Sequence, residues 1–135
     1  MDELIGARTA LVTGGSGGIG KACAAKLCEL GYDVVLSARR VDPLRAAAEE
    51  IGARYIVADA SDPNGFAQAI GPLETIDLVV HAAGTLGGTY ARKQTFEQWQ
   101  TIMSANLAAQ ALPMPPLPPV TSAVLAPIRS STIYR

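Results

Sequence analysis

Short apolar runs alternate with helix-like stretches over the first hundred or so residues. Thr9-Ala10-Leu11-Val12 is an apolar run with a glycine cluster directly behind it. From Ile19 to Leu30, apolar positions at Ile19, Ala22, Cys23, Leu27 and Leu30 recur at helical spacing, and Gly31 is placed to cap the helix. Val34-Val35-Leu36 reads as a second strand, and Pro43 as the opening of a helix over residues 44–51 that Gly52 closes. Tyr55-Ile56-Val57 reads as a third strand, residues 64–70 as a weaker helix, and Leu78-Val79-Val80 as a fourth strand. Thr95 and Gln98 have the spacing of a capping box, starting a helix whose apolar face holds Phe96, Trp99, Ile102 and Met103.

Strands buried on both faces and separated by helices imply a parallel sheet joined by right-handed crossovers. The expected fold is α/β: a partial Rossmann, doubly wound parallel sheet of about four strands in the order 3-2-1-4. An irregular Pro-rich C-terminal tail follows it. All thirteen glycines lie at or before Gly88, every acidic residue at or before Glu97, and six of the nine prolines after Leu112. The expected organisation is therefore a nucleotide-binding domain over residues 1–112, incomplete in strands, and a disordered tail over 113–135. A frameshift, premature stop or mis-spliced end near residue 110 would account for the change of character.

Composition removes several classes. A chain of 135 residues suits one domain with an ordinary core. A net charge of −1 offers no basic face to nucleic acid. The uncharged stretch that begins at Gln98 contains six prolines between Pro113 and Pro127, which a membrane-spanning helix would not tolerate. Met1-Asp2-Glu3 lacks the cationic start of a signal peptide, so a soluble cytoplasmic protein is expected. Cys23 and Cys28, five residues apart on one helix, suit small core residues better than a disulfide or a zinc site.

The loop Thr13-Gly14-Gly15-Ser16-Gly17-Gly18-Ile19-Gly20 joins the first strand to the first helix. Glycines there let the backbone turn sharply and let a pyrophosphate approach the main chain, while the helix amides and dipole face the anion. Glycine clusters also form plain turns; the strand before and capped helix behind favour the binding role. The second strand ends Ser37-Ala38-Arg39-Arg40, with no carboxylate to receive a ribose 2′-hydroxyl. A guanidinium forms paired, charge-assisted bonds with phosphate, so Arg39 and Arg40 point to NADP(H) over NAD(H).

Together these residues resemble the short-chain dehydrogenase/reductase family, of the kind that includes 3-oxoacyl-carrier-protein reductases, over about the first 110 residues. Thr13-Gly14-x-x-x-Gly18-Ile19-Gly20 matches that family's cofactor loop. Asp59, followed by Ala60, lies just after the third strand and matches the acid that contacts the adenine amino group. His81-Ala82-Ala83-Gly84 resembles the Asn-Asn-Ala-Gly motif beside the cofactor, with His81 departing from its first Asn. Asn106 lies where the family has the Asn of its catalytic tetrad. The resemblance implies hydride transfer between nicotinamide and a carbonyl or alcohol carbon, and a homo-oligomer for an intact member. The proton would come from a tyrosine with a lysine four residues later. Here the tyrosines at 32, 55, 90 and 134 have no such lysine, and Lys21, Lys26 and Lys93 all precede Asn106. The chain is therefore expected to bind cofactor without turnover. A different class, an adaptor, rests on Pro113-Met114-Pro115-Pro116-Leu117-Pro118-Pro119, whose Pro-x-x-Pro spacings favour a polyproline helix.

Overall fold

The computed structural model describes residues 8–85 and 91–107. Four parallel strands, β1 (Thr9–Thr13), β2 (Asp33–Ala38), β3 (Arg54–Val57) and β4 (Leu78–His81), form one sheet in the order β3-β2-β1-β4. Helices α1 (Gly18–Glu29), α2 (Val41–Ile51) and α3 (Pro63–Ile70) connect them, and α4 (Phe96–Asn106) follows after a single 3₁₀ turn at Ala91–Lys93. The expected partial Rossmann sheet is present with its strand order. The Pro-rich segment 113–135, and with it the adaptor reading, lies outside the described residues.

Alternation along the strands divides the core in two. Leu11, Val35 and Val79 face α3, where Phe66 and Ile70 meet them together with Leu73 and Ile76. Ala10, Val12, Val34, Leu36 and Val80 face the other way, onto Ala24 of α1 and Leu44, Ala47 and Ala48 of α2. A period of two in strands buried on both sides leaves no polar face, hence the near-continuous apolar runs of β1 and β2. Strand β3 departs from that expectation. Arg54, Tyr55 and Val57 are exposed, on both faces of the strand, where β3 ends the sheet beyond β2.

Helix ends follow local chemistry. Leu30 caps α1, and Gly31, with φ 87°, turns the chain left-handed. Its N–H donates to the Cys28 carbonyl at 3.0 Å and the Tyr32 N–H to that of Leu27 at 3.0 Å, a complete Schellman pair. Helix α2 starts at Val41, ahead of the expected 44, with Pro43 inside the first turn. An amide missing there costs nothing, since first-turn amides have no partner within the helix. The Asp62 carboxylate caps α3 by accepting from the Gly65 N–H at 3.2 Å.

Two helix faces are not those the periodicity suggested. Ile19 of α1 and its C-cap Leu30 are exposed, and the helix buries Gly20 and Ala24 with Cys23, Leu27 and Cys28 beside them. Both cysteines are free and lean on the same half of the core. The rotation follows from Gly20. A β-carbon there would run into the Gly14 carbonyl oxygen, so the helix seats its glycine against the loop and turns Ile19 outward. Helix α4 has the expected capping box, with Thr95 Oγ1 accepting from Gln98 N–H at 3.2 Å and Gln98 Oε1 from Thr95 N–H at 3.0 Å. It buries no residue, and Phe96 and Trp99 stack on each other at its exposed start, with ring centroids 5.8 Å apart.

Candidate functional site

The C-terminal ends of the strands open into a groove of about 670 Å³. Its floor is laid by the loops after β1, β2, β3 and β4, and α4 forms one wall through Gln100, Thr101 and Ser104. This edge of an open parallel sheet is where such folds bind ligands.

The β1–α1 loop is shaped by what its glycines must avoid. Gly14 has φ 67°, and a β-carbon there would stand 2.6 Å from the Ala83 nitrogen and 2.7 Å from the Ala82 carbonyl carbon. The two loops are thus packed backbone to backbone. Thr13 ties them as well, its buried hydroxyl accepting from the Ala83 N–H at 3.3 Å and sharing a 3.2 Å bond with His81 Nδ1. Gly17, the N-cap of α1, brings no side-chain acceptor to the helix. A β-carbon on Gly18 would meet nothing within 4 Å. First-turn amides without a capping side chain, and open space before them, are what an anion at a helix N-terminus needs. On that geometry the residues present fit the pyrophosphate of a nucleotide.

At the ends of β2 and β3, Arg39, Arg40 and Asp59 line the groove together. Both guanidinium-bearing residues are exposed. The Ser61 N–H and hydroxyl donate to Asp59 Oδ1 at 2.8 and 2.7 Å. Asp59 therefore closes a turn, and the helix behind it is capped by Asp62. Partial burial would raise the Asp59 pKa, but the two Ser61 bonds and the Arg39 charge outweigh it and hold the carboxyl below its ordinary value. It stays ionised at neutral pH.

Of the residues singled out in the sequence, Gly14, Ser16, Arg39, Arg40, Asp59, Ala60, Ala82, Ala83 and Gly84 line the groove. Thr13, Gly18, Ile19 and Gly20 do not line it; Thr13 and Gly20 are buried behind the loop, and Ile19 is exposed. Asn106 sits behind the wall. Its Oδ1 accepts from the Thr85 N–H at 3.1 Å, and its Nδ2 donates to the Thr85 carbonyl at 2.7 Å and to that of Ile102 at 2.8 Å. A β-carbon on Gly84 would lie 2.5 Å from Asn106 Oδ1. Ser37 and the α4 wall escaped the sequence reading. A serine in an otherwise apolar strand was the available signal for the first; for the second the one signal was Asn106, at the tetrad position on the last turn of the same helix.

The family model described as short chain dehydrogenase matches residues 8–114. The chain belongs to the short-chain dehydrogenase family. It is similar to the NADP-dependent (R)-specific alcohol dehydrogenase of Lentilactobacillus kefiri, 36% identical over an alignment of 118 positions that covers 79% of this chain and 46% of that protein. It is also similar to the 3-oxoacyl-[acyl-carrier-protein] reductase FabG of Rickettsia bellii, 32% identical over 111 residues, 81% of this chain and 46% of that one. Among solved structures, the Pseudomonas aeruginosa RhlG/NADP active-site complex superposes with a TM-score of 0.71 at 34% identity, covering 77% of this chain and 44% of that one. The chain spans less than half the length of the curated relatives it matches. Among the described residues no helix is long and apolar enough to cross a membrane, and no group of histidines, cysteines and carboxylates could hold a metal ion.

The histidine at the head of the His81-Ala82-Ala83-Gly84 segment gives a pH signature. It is buried, and burial pushes its pKa below the ordinary 6.5. The unfolded chain then binds the proton more readily than the folded one. Stability is accordingly complete above about pH 6.5 and falls as the pH drops through the folded pKa. Urea midpoints measured between pH 8 and pH 5 should decline on the acid side, and His81→Asn should flatten that decline. An unchanged slope in His81→Asn would assign it to other groups.

Proposed function

We propose that this chain binds NADP(H), in preference to NAD(H), across the strand-end groove. The observation that carries the reading is the pairing of an uncapped, open helix N-terminus behind Gly14 with Arg39 and Arg40 at the end of β2. The first suits a pyrophosphate and the second a 2′-phosphate, and no carboxylate ends β2 to repel it. Gly14, Ser16, Gly18 and Ile19 would form the pyrophosphate cradle, with Thr13 and Gly20 packed behind it to hold its shape. Asp59 and Ala60 would meet the adenine, and Ala82, Ala83 and Gly84 would run beside the cofactor toward its nicotinamide end. A nicotinamide held there would supply hydride chemistry, giving hydride to a carbonyl carbon or taking it from an alcohol carbon, in a protein that also carries the proton relay.

These 135 residues hold no tyrosine with a lysine four positions on. For them alone the proposed activity is binding without turnover, with Asn106 in the tetrad position bracing Thr85 beside the groove. In a protein of its relatives' full length, the same groove would serve an NADP-dependent oxidoreductase, assembled as a homo-oligomer. Calorimetric titration of the purified chain is the test. NADP⁺ should bind at least about tenfold more tightly than NAD⁺, a difference of about 1.4 kcal/mol. Equal affinities would remove the cofactor preference. NADPH oxidation above a blank with any ketone would remove the claim of binding without turnover.

A further inference from the structure

Among the described residues, Ser37 Oγ is the one buried side-chain polar atom that makes no hydrogen bond. Its residue is 1% exposed. Ser37 stands beside Thr13 in the β1–β2 register and beside Ile56 in the β2–β3 register. The contrast with Thr13 is informative, since that hydroxyl is engaged by both His81 and Ala83. Nothing comparable reaches Ser37, although its residue lines the groove. Its carbonyl accepts the Gly15 N–H at 3.1 Å, which fixes the strand end under the glycine loop. A hydroxyl is a poor choice for such a place on packing grounds, because an unmade hydrogen bond in the interior is destabilising where an alanine would not be.

Resting on the NADP(H) reading above, we propose that Ser37 is a specificity contact for the adenosine moiety, its hydroxyl donating to an acceptor on the ribose or purine. Its place selects that part of the nucleotide. Ser37 lies between the glycine loop and the Ala38-Arg39-Arg40 corner, and the next strand end is tied in by the Ala58 N–H donating to the Ala38 carbonyl at 3.0 Å. Asp59 and Ser61 line the same end of the groove. A ligand seated there makes the one bond the protein leaves unmade, and discriminates against ligands that offer no acceptor at that depth.

The signature has opposite signs with and without ligand. Ser37→Ala in the full chain should melt no lower than the parent when ligand-free, because an unpartnered hydroxyl has been removed. Its affinity for 2′,5′-adenosine bisphosphate, a probe without nicotinamide, should fall about fivefold to tenfold, the range of one lost hydrogen bond. Ser37→Cys, similar in shape and a far weaker donor, should behave in the same way and serves if the alanine variant does not refold. Undiminished affinity in both variants overturns the proposal while leaving the cofactor reading intact. A loss of affinity accompanied by a lower ligand-free melting temperature marks a structural serine and overturns it too. Failure of the parent chain to bind the bisphosphate at all removes the cofactor reading, and the inference with it.

Discussion

Gly14→Ala should destabilise the chain by about 3 kcal/mol and leave it without measurable nucleotide binding. The substitution acts twice at one atom. A left-handed φ of 67° is strained for any residue with a β-carbon, and that carbon would be driven to 2.6 Å from the Ala83 backbone nitrogen. Backbone on the far side cannot swing away as a side-chain tip would, so the two loops must separate. The left-handed strain and the overpacking together cost about 3 kcal/mol, a large part of the about 5–15 kcal/mol that holds a domain of this size. Urea unfolding followed by circular dichroism reads the loss directly. Gly18→Ala is the control, since its added methyl would meet nothing within 4 Å and its φ is helical. That variant should unfold within about 0.5 kcal/mol of the parent. Equal midpoints for Gly14→Ala and Gly18→Ala would refute the backbone-contact account.

Replacing both Arg39 and Arg40 by alanine should cost the chain its cofactor preference rather than its fold. Both residues are exposed, so their loss opens no cavity. A phosphate loses up to two charge-assisted partners, which weakens NADP⁺ binding about 30- to 100-fold while NAD⁺ binding stays within about twofold. The Asp59 carboxylate would also lose the Arg39 charge that helps to keep it ionised, so its pKa should rise toward the ordinary value. Titrating the double variant with both dinucleotides decides the matter. A parallel fall in the two affinities would place the arginines on the pyrophosphate instead of the 2′-phosphate.

Strands and their order were legible because β1 and β2 are sealed on both faces, so that burial imposed apolar runs too short for helices. The glycine loop was legible for a related reason. Contacts between main chains forbid β-carbons, and that prohibition is written as glycine. The face of α1 was not legible, because Ala22, Ala24 and Ala25 carry almost no amphipathic signal. Its rotation was set instead by Gly20 meeting the Gly14 carbonyl, a contact no periodicity reports. The outer position of β3 shows in Arg54 and Tyr55 only when the strand order is already known. Asp62 was not singled out in the sequence, and geometry alone gave it the cap of α3 and gave Asp59 the turn before it. The groove's α4 wall was signalled only through Asn106 at its end, since Gln100, Thr101 and Ser104 are ordinary for a solvated helix face.

The attachment of that wall sets the order in which the described part of the chain comes apart. Helices α1, α2 and α3 each bury residues in the core, whereas α4 buries none and is tied to the groove through the Asn106 amide on Thr85. Hydrogen bonds at a partly exposed site contribute only about 1 kcal/mol each. Amide protons of α4 will therefore trade with solvent deuterium through local openings that leave the sheet closed, long before those of β1 or β2 do. The molecule has two rates of letting go, and one asparagine marks the boundary between them.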